Sequence, residues 1–277
     1  MTKVPEPGTL LNIDRIRHEL NQTMFGGHIH AFNQVSSTND VAKQLAKQGA
    51  PEGTLVVAEQ QTRGRGRYSR KWSSPPFVGL WFSFVLRPKV HGENVGLVAL
   101  LSSVAVAELL CESTAQVTLK WPNDVLVQGR KVCGVLGETD FHGARLSHVV
   151  LGIGLNVNQT ADMFLPHLAD RVISLRMAKG EIIDREQLLM NLLVRIEELY
   201  SDFSAGRFDK IVGAWKARCG QLYQQVQVRE GECRHIGHIV SIDDYGRLVL
   251  RLAGGQLLTT HSTDLVPFGG EQSPSRE

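Results

Sequence analysis

The segment Gly64-Arg65-Gly66-Arg67-Tyr68-Ser69-Arg70-Lys71-Trp72 holds two glycines, four cations and no apolar periodicity. It cannot add a regular element to a core, and a mobile loop is expected. Glycines let a backbone approach a ligand closely, guanidinium groups grip carboxylates and phosphates in pairs, and mobility lets a loop close after binding. An anionic ligand is one reading; a solvated surface loop or an arginine-glycine tract for RNA is the other. The loop lacks the third glycine of a dinucleotide fingerprint and the Gly-Lys-Ser/Thr ending of a P-loop, so neither standard phosphate motif accounts for it.

Outward from this loop, short apolar runs alternate with helical patterns. Before it, Ile13, Ile16 and Leu20 recur at helical spacing, and His28 to Val35 reads as a strand. Ser36-Ser37-Thr38-Asn39 suits the capping of a helix whose inner face is Val41, Ala42, Leu45 and Ala46, and Thr54 to Ala58 is a buried-strand run. After it come a strand over Gly79 to Leu86, a buried helix over Leu97 to Cys111, and strands over Val117 to Lys120, Val125 to Val127 and Lys131 to Leu136. The last two are joined at Gln128-Gly129-Arg130 as a hairpin. Val149 to Asn156 is another buried strand. Asp184, with Gln187 three positions on, opens a helix striped by Leu189, Leu192, Leu193, Ile196, Tyr200 and Phe203. From Gln224 the texture becomes short strands and tight turns, the pattern of a small β-barrel.

Two further clusters carry polar chemistry. Lys120-Trp121-Pro122-Asn123-Asp124 sets a lysine, a ring able to stack on a base and a carboxylate just before the hairpin that bears Lys131. Pro-Asn-Asp is also strong turn chemistry, and a plain turn is the alternative. Gly152-Ile153-Gly154-Leu155-Asn156 ends an apolar strand in a polar side chain, a place where α/β proteins often hold ligands.

The 277 residues, 42% hydrophobic and 21% charged, describe a globular chain long enough for a large and a small domain. A formal charge of +2 argues against a surface coated in cations for duplex nucleic acid. Met1 to Leu11 lacks the apolar core of a secretory signal, so a cytoplasmic protein is expected. Gly96 to Cys111 has about half to three-quarters of the length of a membrane span and contains Glu108, which favours a buried helix and no membrane partner. Cys111, Cys133, Cys219 and Cys233 form no C-x-x-C pair and are expected as reduced thiols, mostly core filler.

Taken in order, Ser37-Thr38-Asn39, Ala58-Glu59 with Gln61, the arginine loop, Lys120-Trp121-Pro122-Asn123-Asp124, Arg130-Lys131 and Gly152-Ile153-Gly154-Leu155-Asn156 closely resemble the biotin protein ligase family. The likeness is detailed from Asn33 to Asn158. It implies an α/β (α+β) fold: a mixed sheet flanked by helices, akin to class II aminoacyl-tRNA synthetases, with a C-terminal SH3-like β-barrel. The corresponding division is a catalytic domain over residues 1–222, the barrel over 223–269 and a disordered tail over 270–277. The implied activity is ATP-dependent ligation of biotin to a lysine of a biotin carboxyl carrier domain through biotinyl-5'-AMP. ATP with magnesium and biotin are then substrates, no tightly bound cofactor is expected, and a homodimer is compatible with the resemblance.

Residue roles follow from the same likeness. Ser37, Thr38, Asn39 and Gln61, with the loop backbone, are expected to hold biotin, because its ureido group needs both donors and acceptors. Arg65, Gly66 and Arg67 would fold over the biotin carboxylate and the α-phosphate as a lid. Trp72 and Trp121 would wall the adenine, Asn123 and Asn156 would contact the nucleotide, and Asp124 would orient magnesium or nucleotide. Lys131 is expected as the principal catalytic residue, neutralising charge as the mixed anhydride forms. Tyr68 and Ser69 stand where the family commonly has arginine and glycine. About thirty residues precede the core, fewer than the ~50 of a small domain, so no DNA-binding role is expected. A lipoate protein ligase, with the same chemistry and core fold, is the nearest alternative; a non-catalytic biotin-sensing or RNA-binding module is the other.

Overall fold

The structure, a computed structural model, describes residues 9–143, 145–230, 233–261 and 265–267. The expected tail over 270–277 lies outside them, as does the leading segment before Thr9.

The first sheet has seven strands: β1 (Ile29–Val35), β2 (Leu55–Gln61), β3 (Gly79–Leu86), β4 (Val117–Lys120), β5 (Asp124–Val127), β6 (Arg130–His142) and β7 (Arg145–Asn156), in the order β1-β2-β3-β7-β6-β5-β4. β1 and β2 are parallel, joined through helix α2 (Thr38–Lys47); every other pairing is antiparallel, so the sheet is mixed. β3 is buried along its whole length. Its alternation sends Leu80, Phe82, Phe84 and Leu86 to one face and Trp81, Ser83 and Val85 to the other.

Against the first face pack α3 (Gly96–Cys111), α5 (Arg185–Ser204) and α6 (Phe208–Arg218). α3 continues a 3-10 turn over Gly92–Val95, so the helical run has 20 residues and is, by length and composition, able to span a bilayer; 67% of its apolar window is nevertheless buried inside the protein. This corrects the length inferred from sequence while keeping the buried-helix reading. Glu108 on α3 is bridged by Arg195 of α5 and Arg218 of α6, which satisfies its charge at the helix interface. Against the second face, α2 lays Ala42 and Ala46 on Val56, Val85 and Val150.

The helix α1 (Ile13–Glu19) begins at Asn12, whose side chain accepts from the amide of Arg15. Asp184 caps α5 by accepting from Glu186 and Gln187 amides, but Gln187 turns outward to Asn191 rather than closing a capping box. Ser37 occupies the N-cap of α2 without a side-chain capping bond; the Thr38 amide is taken by Gln61 Oε1 of β2 instead, at 2.9 Å. A short helix, α4 (Leu175–Lys179), precedes α5.

The carboxyl-terminal strands β8 (Gln225–Glu230), β9 (Cys233–Ile242), β10 (Leu248–Leu252), β11 (Leu257–Thr260) and β12 (Leu265–Pro267) form a separate antiparallel sheet in the order β11-β10-β9-β8-β12. Val226, Val228, Ile239, Ile242, Leu248 and Leu250 of this sheet join the core beneath the first sheet. All four cysteines are free, yet only Cys133 is fully buried and Cys111 and Cys233 are exposed, so core filling applies to fewer of them than expected.

Candidate active site

The site lies on the second face of the large sheet, beyond the part that α2 covers. Register aligns Trp81 of β3 with Gly154 of β7, Gly154 with Gly134 of β6, and Gly134 with Asp124 of β5. One row thus reads Trp-Gly-Gly-Asp across four strands, and the paired glycines make a trough between two functional side chains. The Trp72 indole lies in it: a Cβ on Gly154 would stand 2.5 Å from Trp72 Nε1, and one on Gly134 3.2 Å from Trp72 Cζ3. Only glycine admits a ring this close to a strand. Trp81 meets Trp72 edge-on at 6.4 Å, and Lys131 Nζ sits 5.1 Å from the centre of the Trp72 ring, a cation–π contact.

Lys131 reaches this face because the β5–β6 hairpin is irregular. Gln128 and Gly129 both have positive φ, the mark of a type I′ turn, and the register then shifts between Val125 and Leu126. The extra residue re-aims Lys131 onto the same face as Gly134, three positions on. Its ammonium lies 2.6 Å from Asp124 Oδ1, forming a half-buried pair at the edge of the trough. The backbone of Lys131 is held on its other side, donating to Arg171 O and accepting from Ile173 N.

The neighbouring row, Ser83 opposite Gly152, carries the polar pocket. Ser37, Thr38 and Asn39 at the start of α2 are all buried. Thr38 Oγ1 lies 3.2 Å from Gln61 Oε1, and Gln61 Nε2 donates to Ser74 Oγ at 2.9 Å. Ser83 Oγ donates to Asn39 Oδ1 at 2.6 Å and stands 2.7 Å from Thr38 Oγ1. Asn39 Nδ2 donates to Glu138 Oε2 at 2.7 Å, so both ends of the Asn39 amide are engaged by the protein. A Cβ on Gly152 would fall 1.9 Å from Asn39 Oδ1, which makes that glycine obligatory for the arrangement.

The arginine loop is folded as a short hairpin. Trp72 N donates to Gly64 O, Gly66 N donates to Arg70 O, and Arg65 pairs with Lys71 as an antiparallel bridge. Its tip, a 3-10 turn over Arg67–Ser69, places Tyr68 and Ser69 at positive φ, with Arg67 and Arg70 5.5 and 5.9 Å from the Tyr68 ring. The Arg65 guanidinium grips Asp40 with two bonds of 2.9 and 2.7 Å and also reaches Glu138 at 3.1 Å, while Lys43 bonds Glu138 at 2.8 Å. Arg65's hydrogen bonds hold the Asp40 carboxyl below its ordinary range. Burial pushes Glu138 up, but hydrogen bonds from Lys43 and Asn39 and the charge of Arg65 outweigh it and leave that carboxyl lowered too. The Arg65 guanidinium is correspondingly stabilised in its charged form by Asp40.

Trp121 and Asn123 are placed differently from the adenine and nucleotide contacts expected of them. Trp121 is 5% exposed, lies in the core and donates Nε1 to Gly246 O at 3.0 Å, tying the large sheet to the carboxyl-terminal one. Asn123 Nδ2 donates to Val135 O, and the Asn123 backbone carbonyl accepts from Val135 N, closing the turn. The bond between Trp121 and Pro122 is cis. Asn156 is buried, donating to Ile173 O and accepting from Gln159 Nε2. Asp40, Lys43, Ser83 and Glu138 escaped the sequence reading; their types are ordinary, and only the topology brings them to the loop. Among the described residues no group of three or more His, Cys, Asp or Glu could cage a metal ion.

Residues 31–156 match the model of the biotin/lipoate A/B protein ligase family. The chain is 37% identical to the bifunctional ligase/repressor BirA of Bacillus subtilis over 91% of its own length and 78% of that protein. It is 32% identical to a biotin–[acetyl-CoA-carboxylase] ligase of Paracoccus denitrificans, over 86% of this chain and 99% of the relative. Among solved structures, a biotin protein ligase from Aquifex aeolicus in complex with biotin and ATP superposes with a TM-score of 0.74 at 32% identity, covering 87% of this chain and 98% of that one. On this sheet, this trough and these relatives, the chain belongs to the biotin protein ligase family.

Proposed function

We propose that this protein activates biotin with ATP as biotinyl-5'-AMP and transfers the biotin to a lysine of a biotin carboxyl carrier domain. The observation that carries the reading is the Lys131–Asp124 pair at 2.6 Å, set at the rim of a glycine trough beside Trp72 and facing the arginine loop. Relatives above 30% identity are named for this ligation, and one solved relative is described with biotin and ATP bound.

A carboxylate is a poor electrophile. Its oxygen must attack the α-phosphorus of ATP, pyrophosphate must leave, and negative charge gathers where the two anions meet. Lys131 supplies a fixed positive charge there and Asp124 orients it, a preorganised stabilisation of the kind that dominates such steps. Magnesium enters with ATP as its counter-ion; Asp124 offers one carboxylate, enough to orient the ion but not to cage it. Ser37, Thr38 and Gln61, with the loop backbone, present donors and acceptors to the ureido group, and Asn39 supports them from behind. Trp72 walls the adenine, and Asn156 at the end of β7 contacts the adenylate. Arg65, Gly66 and Arg67 close over the carboxylate and phosphate, which shields the adenylate from water until the acceptor amine displaces AMP. Residues 1–222 make up the catalytic domain. We read the carboxyl-terminal sheet, five short antiparallel strands in the order β11-β10-β9-β8-β12, as an SH3-like barrel.

The test is the intact mass of a biotin carboxyl carrier domain after incubation with this protein, biotin, ATP and magnesium, with lipoate in parallel. A gain of one biotin on the acceptor lysine and none with lipoate is expected. A gain with lipoate alone would assign the chain to the lipoate branch, and no gain with either would overturn the enzymatic reading.

A further inference from the structure

The chain leaves β7 as Asn156-Val157-Asn158-Gln159, and the amide side chains of Asn156, Asn158 and Gln159 are all buried. Asn158 forms a mutual pair with the backbone of Ile183, accepting from its N–H and donating to its C=O, both at 2.9 Å. Asn156 Nδ2 donates to Ile173 O at 3.3 Å. Gln159 Nε2 donates to Asn156 Oδ1 at 3.0 Å, and the Gln159 backbone carbonyl accepts from Ser174 Oγ at 2.6 Å. The stretch from Ile173 to Ile183 is therefore stapled to the end of β7 by side chains that stand in for the backbone of a strand.

The start of that stretch reaches Lys131. Lys131 N donates to Arg171 O at 2.8 Å and Ile173 N donates to Lys131 O at 3.0 Å, a parallel bridge centred on Val172. Ile173 thus spends its N–H on Lys131 and its C=O on Asn156. The shift in register between β5 and β6 falls beside Lys131 and interrupts the ladder there, so the backbone of the lysine depends on this second bridge. The order of the amide atoms is forced: a carbonyl only accepts, so Asn156 turns Nδ2 to Ile173, Oδ1 faces Gln159, and Gln159 must present Nε2. Gln159 Oε1 is then buried with no partner among the described residues. An unpaired buried carbonyl lowers stability, so stability does not account for an amide at this position. Its one side-chain bond leads through Asn156 and Ile173 to the lysine.

We propose that Gln159 is a positioning residue for Lys131: it fixes the Asn156 amide, Asn156 holds Ile173, and Ile173 holds the backbone from which the lysine projects. The inference deepens the role proposed above for Lys131 and rests on it. The ammonium has to stay 2.6 Å from Asp124 and 5.1 Å from the centre of the Trp72 ring, and a slack backbone would let it leave both. Asn156 keeps one hydrogen and one lone pair for a nucleotide, so its two duties do not compete.

The experiment is a double-variant cycle on the full chain, in which single-turnover release of pyrophosphate at saturating biotin and ATP is measured for wild type, Gln159→Met, Lys131→Ala and the pair. Gln159→Met keeps the length of the side chain and removes the donor to Asn156. It is expected to slow release about tenfold, the scale of a displacement of a few tenths of an ångström where about 1 Å costs ~10²-fold. KM for biotin should not change, because Thr38 and Gln61 lie outside the staple. In the Lys131→Ala background the same substitution should cost nothing further, since the group it positions is gone. A purely structural role would slow both backgrounds alike. A tenfold loss in each background, or no loss in Gln159→Met, would overturn the positioning while leaving the ligase reading in place. A wild type that releases no pyrophosphate, or Lys131→Ala that releases it at the wild-type rate, would overturn the reading of the site, and the positioning with it. Should Gln159→Met fail to fold, Ser174→Ala, which removes the donor to Gln159 O, takes its place in the same cycle with the same outcomes.

Discussion

Replacing Gly154 by alanine adds one methyl group to β7 and should act on the nucleotide rather than on biotin. The new Cβ stands 2.5 Å from Trp72 Nε1, 2.6 Å from Cε2 and 3.0 Å from Cζ2. Non-bonded heavy atoms settle at roughly 3.5–4.0 Å, so the indole must withdraw by about 1 Å. Such overpacking costs ~1–3 kcal/mol. Among the described residues Trp72 Nε1 has no hydrogen-bond partner, so the ring moves without breaking a bond and the lower part of that range applies. A loss of about 1–2 kcal/mol at the adenine wall corresponds to a rise in KM for ATP of roughly five- to thirtyfold. Biotin-dependent exchange of labelled pyrophosphate into ATP measures it, with KM for biotin read in the same assay. Gly137→Ala is the matched control: its Cβ meets Leu151 at 3.4 Å and Ala99 at 3.8 Å, ordinary contacts on the opposite face. Trp72→Phe in the Gly154→Ala background should recover part of the loss by returning room. A Gly154→Ala enzyme with wild-type KM for ATP would refute the assignment of Trp72 to the nucleotide.

Lys131→Ala should slow adenylation ~10²–10³-fold, as removal of one preorganised charge stabiliser does, in a single-turnover pyrophosphate release assay. Arg67→Gly should let biotinyl-adenylate escape, read as biotin on lysines of an unrelated bystander protein; no added labelling would count against the lid. Asp40 is held below the usual carboxylate range by Arg65, so the stability it contributes is complete above about pH 5 and disappears as pH falls through the lowered folded value. Denaturation of wild type and Asp40→Asn should accordingly differ by a constant amount near neutrality and converge in acid, and a gap that widens on acidification would contradict the clamp. Trp121→Phe removes the donor to the partly buried Gly246 O and should cost about 0.5–1.5 kcal/mol, the net contribution of one hydrogen bond, seen as a lower midpoint in urea.

The fold was legible wherever the apolar pattern and the hydrogen-bond ladder coincide. β3 shows it, read from Gly79 to Leu86 and found with those bounds, because every position in it is buried. β6 and β7 were read short for the converse reason. Apolar character stops at Leu136, yet the ladder runs on from Gly137 opposite Leu151 to His142 opposite Arg145, and a backbone already paired to its neighbour needs no buried side chain to continue. α6 was missed because its apolar residues Ile211, Val212 and Trp215 face a core assembled from α3 and β4, whose proximity no local window contains.

The site divides along the same line. Lys131, Asp124, Thr38 and Gln61 are named by the family resemblance, and the structure pairs Lys131 with Asp124 and Thr38 with Gln61. Residue type does not give the direction in which each side chain is spent. Trp121 and Trp72 are the same residue type in equally suggestive motifs; one is committed to Gly246 across 125 positions and the other rests on a glycine trough built from two strands. Arg65 likewise has the chemistry to grip a phosphate, yet its fork is matched by Asp40 at 25 positions' distance and Glu138 at 73. Two carboxylates oriented by an amide and a lysine make a competitor for any anion the loop is to receive. On the lid role proposed for Arg65, closure over the biotin carboxylate and the α-phosphate would be an exchange of partners, and the affinity of the loop for its substrates would be set by the difference between two sets of charge-assisted bonds rather than by the strength of either.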